Sequence, residues 1–219
     1  GNSGTVHGKY GQWHYRIVTL SVMKVSQLCE VSGVPLPSIK YYLREGLLPP
    51  GHRTSANQAD YDESHVERLR LIRALIDVGG LSVATANRVL AAVDDRELPL
   101  SYVFGVAQYA ISDASLYDPV DPASHGVEVV DQMIDRMGWM VPDDSPGRNG
   151  AARIVNTYAD LGHDHLAEIS DGYAKAAELI ARADLDSVGR RSEIGDMAET
   201  VVVGTVLGDA LISSLRRMA

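Results

Sequence analysis

The sequence predicts a mainly α-helical protein in which a helix-turn-helix and a small two-stranded hairpin precede an all-α bundle. Three observations support this fold class. Two short amphipathic segments flank a glycine turn between residues 24 and 45, a stretch rich in proline and glycine follows at 47–61, and helical periodicity dominates from residue 62 onward. The sequence contains no glycine-rich phosphate loop and no long segment with strand alternation.

Size and composition suit a globular protein and exclude several classes. The chain has 219 residues, of which 45% are hydrophobic, enough for a sizeable core. The single cysteine, Cys29, excludes a disulfide framework and a multi-thiolate metal site within one chain, and it favours a reducing cytoplasm. The longest apolar run, at 201–212, is shorter than a bilayer requires and carries Asp209, so we expect no membrane anchor.

The net charge of −9 is unevenly distributed along the chain. Residues 23–100 contain nine Lys and Arg against ten Asp and Glu, whereas residues 101–219 contain nine against nineteen. The acidity therefore belongs to the second half. The nearly neutral first half remains compatible with a nucleic-acid partner.

Residues 1–22 do not resemble the chain that follows, and a Met stands at position 23. We interpret them as residues derived from an expression vector or as an N-terminal extension. The piece "QWHYRIV" within them could still form a strand.

Two short helices joined by a turn are predicted around Gly33. The first spans about 24–29; Gly33 then permits a tight turn, and the second runs from about 36 to 45 with prolines tolerated in its opening turn. Gly46 ends the second helix. The expected inward positions are Val25, Leu28 and Val31 on the first helix and Ile39, Tyr42 and Leu43 on the second.

A hairpin and three helices follow. Prolines and glycine within 47–61 favour two short strands joined by a turn at Asn57. Asp62 caps a helix that Gly79-Gly80 stops, Ser82 caps the next, and another covers about 100–111. The stripe expected on the first of these helices is Val66, Leu69, Ile72, Arg73 and Ile76.

Beyond a linker at 112–126, rich in Asp, Pro and Ser, the chain is predicted to be helical throughout. Helices are expected at about 122–139, 148–161, 163–183 and 190–217. The breaks between them are assigned to "VPDDSPG" and "ADLDS".

The exposed face of the helix at 36–45 carries residue types that contact nucleic acid, namely Ser38, Lys40, Tyr41 and Arg44. Hydroxyls and cations of this kind bond to phosphates or base edges in a groove. By themselves they equally describe an ordinary solvated face of a helical hairpin.

Taken together, residues 23–93 resemble the MerR family of bacterial transcriptional regulators. The resemblance lies in "MKVSQLCEVSGVPLPSIKYYLREGLLPP" followed by "RTSANQADYDESHVERLRLIRALIDVGGLSVATANRVL". These segments contain the helix-turn-helix, the "YY-x-REGLL" continuation, the "Y-x-E" entry to a third helix and a pair of small residues before a fourth. The family implies an N-terminal winged helix-turn-helix domain, a homodimer formed through a helix after that domain, and a variable C-terminal effector domain.

The resemblance also implies which residues face DNA and which partners the protein has. By matching position, the recognition helix offers Ser38, Lys40 and Tyr41 and the wing offers Arg53; Arg44 and Gln58 complete our predicted set. The implied partners are double-stranded promoter DNA, RNA polymerase and a second copy of the chain. The promoter would be bound, and distorted, between the two elements that the polymerase contacts. A small apolar effector in the C-terminal domain would control the regulator.

This sequence departs from the family's usual pattern at Pro37, at Leu43 and in the wing segment 57–59. These departures, with the acidic second half, leave a second function open: a helical module that binds a ligand or a protein and binds DNA weakly or not at all. The predicted domains are 1–22, 23–96 for DNA binding, 97–112 as a connecting and dimerisation helix, and 113–219 as an all-helical effector or dimerisation domain.

Residues 101–219 show no catalytic constellation, so we do not expect an enzyme or a cofactor. The segment "GHDHLAE" brings His163, Asp164, His165 and Glu168 together in sequence. Either His165 and Glu168 converge on a metal, or the segment is a polar helix start; we favour the helix start and expect no metal. Cys29 lacks the partners that a thiol metal sensor needs.

Aromatic and methionine residues of the second half either form core or line an effector pocket. They are Tyr102, Phe104, Tyr109, Tyr117, Met133, Met137, Trp139, Met140, Tyr158 and Tyr173. Arg153 and Asp171 are considered as groups that orient a ligand, although no pattern selects them.

The last predicted helix contains Gly204 and Gly208, four residues apart. Each glycine costs a helix about 1 kcal/mol relative to alanine, so a compensating reason is expected. Close helix packing, within one chain or between two, is the interpretation we favour.

Overall fold

The structure is a computed structural model. It describes residues 22–55, 58–111 and 114–219, except for the side chains of Ala114 and Tyr117. The strand considered for "QWHYRIV" and the turn residue Asn57 lie outside the described residues. The chain divides into two compact units, Gly1–Arg73 and Ala74–Ala219. The domain limits set above at residues 96 and 112 stay predictions.

The predicted fold class is confirmed: a helix-turn-helix with a two-stranded wing is followed by helices. The first unit contains α1 (Val25–Ser32), α2 (Leu36–Arg44), β1 (His52–Ser55), β2 (Gln58–Asp60) and α3 (Glu63–Arg73). The second contains a π-helical turn (Ala74–Val78), α4 (Val83–Asp94), α5 (Leu100–Ala110), a 3₁₀ turn (Ala114–Tyr117), α6 (His125–Met137), α7 (Pro146–Asp160), a second 3₁₀ turn (Asp164–Ile169), α8 (Ser170–Gly189) and α9 (Ile194–Met218).

The core of the first unit is built from apolar residues that the helical periodicity places inward. α1 packs against both α2 and α3. The fully buried side chains at their contact are Leu28, Ile39, Val66, Leu69 and Ile72. Gly33 joins α1 to α2 with φ 67°, the left-handed conformation that favours glycine.

Two inward assignments in this unit are wrong. Val31 is 53% exposed. An α-helix has 3.6 residues per turn, so residues spaced three apart shift progressively around the helix, and Val31 lies away from the face of Leu28. Arg73 is also exposed rather than part of the buried stripe of α3. At the end of a helix, the flexible arginine side chain can keep its charged guanidinium group in solvent.

The second unit has two packing regions, and α8 contacts helices of both. In one, α9 packs against α4, α5 and α8, and its Val201, Val202 and Val206 are buried. In the other, α6 packs against α7 around Val127, Val130, Ala152 and Val155. The two regions are consistent with a helical domain and position the surfaces considered below.

The helix boundaries of the second half differ from the predicted ones at "ADLDS". This stretch lies inside α8, which continues to Gly189. It contains neither proline nor glycine, and Asp and Ser disfavour a helix interior only slightly, so packing against α9 overrides them. The expected α-helical start at 163 is instead the 3₁₀ turn Asp164–Ile169.

α9 is long and apolar enough, by length and composition, to cross a bilayer. Its most apolar 18-residue window is 22% buried within the structure. The core helix of a soluble protein passes the same test, so this property alone is weak support for a membrane span.

Candidate nucleic-acid interface

The orientation of α2 is set by the burial of Ile39, which is fully enclosed in the first unit. Burial of this side chain turns the opposite face of the helix outward. Lys40 and Arg44, one turn apart, are exposed on that face, and Ser38 and Tyr41 are partly exposed. The four predicted residues of α2 therefore reach the surface of the unit.

Tyr41 and Arg44 form a local pair on this surface. The Arg44 guanidinium lies 5.0 Å from the centroid of the Tyr41 ring, a cation–π distance. Arg44 Nε also donates a 3.0 Å hydrogen bond to Glu45 Oε1. Because Glu45 partly neutralises Arg44, Lys40 is the α2 cation with fewer competing contacts among the described residues.

The wing is the antiparallel pair of β1 and β2. Its register aligns His52 with Asp60, Arg53 with Ala59 and Ser55 with Gln58, with an irregularity between Arg53 and Ser55. Arg53 and Gln58 are both exposed, so each predicted wing residue is available to a partner.

Lys24, which the sequence reasoning missed, connects α1 to the wing. Its ammonium forms an ion pair with Asp60 on β2 and lies 3.5 Å from Thr54 Oγ1 on β1. Lys24 and Asp60 are more than thirty residues apart in sequence, so no local sequence pattern predicts their contact. Met23 extends the same sheet edge by exchanging two 2.8 Å backbone hydrogen bonds with Tyr61.

Asp62 caps α3, as its position predicts. Its carboxylate accepts hydrogen bonds from the Ser64 backbone nitrogen at 3.1 Å and from the Ser64 hydroxyl, and His65 Nδ1 lies 2.8 Å away. These contacts lower the pKa of Asp62 from 3.8 to about 2, and the hydrogen bond with the Ser64 side chain has the largest effect. His65 is buried and was not singled out from the sequence, although its i+3 spacing from a cap residue is a usable signal.

Asp62→Ala is expected to lower the free energy of unfolding by about 1 kcal/mol at pH 7. Because the folded-state pKa of Asp62 is depressed, its contribution is complete above about pH 4 and is lost as the pH falls toward 2. Urea unfolding at pH 7 and at pH 3 checks both points. Asp62→Asn keeps an acceptor for the cap but should lose the pH dependence; an equal effect of Asp62→Ala at both pH values would contradict the assignment.

The residues described above belong to a stretch that matches a known family. Residues 23–93 match the family model of the MerR HTH family regulatory protein. Residues 23–93 form a domain of the MerR family. Membership confirms the resemblance read from the sequence and makes α2 and the β1–β2 wing parts of a DNA-binding helix-turn-helix domain.

Relatives named as HTH-type transcriptional regulators match this N-terminal part. The HTH-type transcriptional regulator HmrR of Sinorhizobium medicae is 35% identical over 91 residues, which cover 42% of this chain and 61% of that protein. A homolog of the HTH-type transcriptional regulator ZntR in Haemophilus influenzae is 42% identical over 50 residues, 23% of this chain and 37% of that protein. The chain thus spans less than two thirds of the length of these two relatives.

One solved structure resembles nearly the whole chain. It is the crystal structure of the candidate transcriptional regulator SCO5550 of Streptomyces coelicolor A3(2), with 35% sequence identity and a TM-score of 0.64. The match covers 90% of this chain and 93% of that one. The likeness therefore extends beyond the MerR domain into the helices of the second unit.

In the second unit, the polar groups considered earlier for ligands form contacts within the protein. Arg153 donates hydrogen bonds to the backbone oxygens of Leu116 and Asp118. Asp171 forms an ion pair with Arg136, at 2.8 Å, which lowers the pKa of Asp171. These contacts give both side chains structural partners, and the ligand-orienting role stays a prediction.

The histidine segment remains a surface turn. The rings of His163 and His165 are 5.7 Å apart and both residues are exposed. Within the described ranges, no three His, Cys, Asp or Glu side chains are grouped so as to hold a metal ion. Cys29 is partly buried in α1.

The aromatic and methionine residues divide between the core and the surface. Met133 packs against the α6–α7 core, and Phe104 lines a groove beside α9. Tyr102, Tyr109 and Tyr173 are about half exposed, and Met140 is 99% exposed. For these four residues the core interpretation is wrong; the side chain of Tyr117 lies outside the described residues.

Gly204 and Gly208 face an open groove. A Cβ atom added to either glycine would meet no atom within 4 Å. Close packing within the described chain therefore does not require glycine at these positions. A role for the two glycines between chains stays a prediction.

Proposed function

We propose that this protein is a homodimeric, sequence-specific transcriptional regulator that inserts α2 into the major groove of promoter DNA. The observation that carries the proposal is the outward face of α2 within a MerR domain. Ser38, Lys40, Tyr41 and Arg44 offer hydroxyls and cations to base edges and phosphates, while Arg53 and Gln58 of the wing reach the backbone alongside.

The α4–α5 surface supports the dimer. A groove of about 920 Å³ runs between these helices, with small residues such as Ala92 and Gly105 at its floor and the half-exposed rings of Tyr102 and Tyr109 at its edge. A helix of a second copy fits a groove floored by small residues. A twofold dimer of this kind would present two α2 helices to the half-sites of a near-palindrome.

Control of transcription follows from the cost of deforming DNA. By family resemblance, the dimer would bind between the polymerase contact elements and distort the duplex there, next to RNA polymerase. Such distortion costs several kcal/mol, so an effector that binds one conformation better can shift the balance. We place a small-molecule effector in the helical second half and the protein in the cytoplasm. The relatives are named as regulators of transcription, which agrees with a protein that is not an enzyme.

Arg53→Ala tests the wing assignment. We expect weaker binding to every duplex sequence, and a slope of log affinity against log salt that is flatter by about one, because one phosphate contact is lost. Fluorescence-anisotropy titrations of the DNA upstream of its own gene, repeated at several salt concentrations, give the slope. A slope equal to that of the wild type would remove Arg53 from the interface.

A second function has some support in the structure. The Arg44–Glu45 contact reduces the positive charge of α2, and the second half is strongly acidic. Both features suit a helical module that binds a ligand or a protein and has weak DNA affinity. A gel shift at low salt with the upstream DNA separates the two functions, since only the first predicts a retarded complex.

A further inference from the structure

The wing is a short element whose direction depends on contacts outside its own two strands. β1 has four residues and β2 has three. A two-stranded hairpin is at best marginally stable by itself in water, so the rest of the unit must hold it in place. At its base, the ring of Tyr61 lies so close to Gly51 that a Cβ there would be 2.9 Å from Tyr61 Cε1. The strands beyond this base need a further support.

Lys24 contacts both strands of the wing. Its ammonium pairs with Asp60 on β2 and donates to Thr54 Oγ1 on β1 at 3.5 Å. Asp60 is the less exposed partner, with 23% of its side chain in solvent against 50% for Lys24. One cation therefore links the two strands to each other and to the chain that enters α1. We call Lys24, Thr54 and Asp60 the wing anchor.

The backbone of Lys24 is itself fixed to the helices of the unit. Lys24 is the N-cap residue of α1, and its backbone nitrogen donates a 2.9 Å hydrogen bond to Gln27 Oε1. α1 in turn packs against α2 and α3. The wing anchor therefore connects the wing to the same helical core that orients α2.

The wing anchor acts where the wing is irregular. The strand register shifts by one residue between Arg53 and Ser55, so Thr54 is an additional residue on β1. A bulge of this kind bends its strand and re-aims neighbouring side chains. The Thr54 hydroxyl accepts from Lys24 and donates a 3.4 Å hydrogen bond to the backbone oxygen of Gln58 on the other strand. These contacts hold the bulge directly beside Arg53.

We propose that the wing anchor sets the direction in which the wing presents Arg53 to DNA, so that Lys24 and Asp60 are positioning residues for DNA binding. The inference rests on the proposed function, in which Arg53 contacts the DNA backbone beside the groove that holds α2. Neither positioning residue touches DNA. They hold the bulge in one geometry, and a wing held in this way loses less conformational freedom on binding.

A direct contact between Lys24 and a phosphate is the competing interpretation. Such a contact would draw the ammonium away from the carboxylate and the hydroxyl that already bind it. The two interpretations make opposite predictions for Asp60. If charge alone mattered, removing a carboxylate close to DNA would strengthen binding, because a repulsion with phosphate is lost. If Asp60 holds the wing, its removal weakens binding.

Fluorescence-anisotropy titrations of the upstream duplex with Asp60→Ala separate these outcomes. We expect affinity to fall about threefold to fivefold, the range that an exposed ion pair supports. Lys24→Met should lose a similar factor, whereas Lys24→Arg keeps the cation and should recover most of the affinity. Glu30→Ala removes an exposed carboxylate of α1 outside the wing anchor, so this control should bind at least as tightly as the wild type. Wild-type or tighter binding by Asp60→Ala would overturn the proposal.

A double-mutant cycle with Arg53→Ala shows whether the wing anchor acts through Arg53. In the Arg53→Ala background, Asp60→Ala should cost no further affinity, because the contact that Asp60 positions is already absent. A general weakening of the fold would instead lower affinity by the same factor in both backgrounds. Additive losses would therefore refute the positioning role.

Hydrogen–deuterium exchange of the free protein tests the wing anchor without DNA. Asp60→Ala and Lys24→Met should each speed exchange in peptides covering residues 52–61, while peptides from α7 exchange as in the wild type. Unchanged exchange over 52–61 would show that the wing anchor does not hold the wing, which also overturns the proposal. If exchange rises in the variants but the wild type binds no duplex, the proposed function fails and the wing anchor stands.

Discussion

Gly126→Ala is expected to lower the free energy of unfolding by about 3 kcal/mol, because α6 and α7 are in contact at this position. A Cβ on Gly126 would overlap the backbone oxygen of Ala152 and lie 2.8 Å from Asn156 Oδ1. The same asparagine oxygen accepts a 2.7 Å hydrogen bond from the Gly126 backbone nitrogen. A methyl group would therefore separate the helices and break this bond.

Urea unfolding followed by circular dichroism measures the effect. Gly172→Ala is the matched control, since a Cβ there meets no atom within 4 Å and alanine favours α8. The control should be as stable as the wild type or more stable. A Gly126→Ala variant that unfolds at the wild-type urea concentration would show that α6 and α7 do not approach as closely as described.

Lys40→Ala is expected to reduce affinity for the preferred DNA site by about tenfold to a hundredfold, corresponding to about 1–3 kcal/mol for a lost base contact. Lys40 is exposed on α2, one residue from the buried Ile39 that fixes the helix. No hydrogen bond or ion pair engages Lys40 within the described residues, so the free protein gives up little to bind DNA. The substitution should leave folding unchanged.

Anisotropy titrations with the upstream DNA and with a shuffled duplex measure this prediction. A larger loss on the upstream DNA than on the shuffled duplex indicates a base contact. Lys175→Ala, which removes another exposed lysine, from α8, should bind as the wild type does. Affinity of Lys40→Ala within twofold of the wild type on both duplexes would place α2 outside the groove.

The first unit was largely predictable because its determinants are local. Gly33 and Gly46 both adopt the positive φ that the turn after each helix requires, at 67° and 78°. The alternation of buried positions along α3 follows the 3.6-residue period. Asp62 and Ser82 occupy the cap positions expected of them. Such signals act over four or fewer residues and can be read from a single chain.

The second unit was harder to predict because tertiary packing decides it. The Asp- and Ser-containing segment 183–187 is helical because α8 packs against α9, a contact the sequence does not display. Tyr102, Tyr109 and Met140 are exposed although their side chains are typical of a core. Surfaces that bind a ligand or a second copy carry core-like residues, which makes the two indistinguishable by composition.

The candidate interface was predictable in its residues but not in its connections. Sequence reasoning selected Lys40 and Arg44 from their face of the helix. It could not foresee that Glu45 bonds to Arg44 or that Lys24 joins the wing through Asp60, since these depend on rotamers and on contacts distant in sequence.

The most direct test of the central claim is the stoichiometry and sequence preference of DNA binding at increasing salt. We predict that analytical ultracentrifugation shows two chains on one upstream duplex. The upstream duplex should be preferred over a shuffled one, and affinity should fall linearly on a log–log plot against salt concentration. A single chain that ignores duplex DNA even in dilute buffer would contradict the proposed regulator.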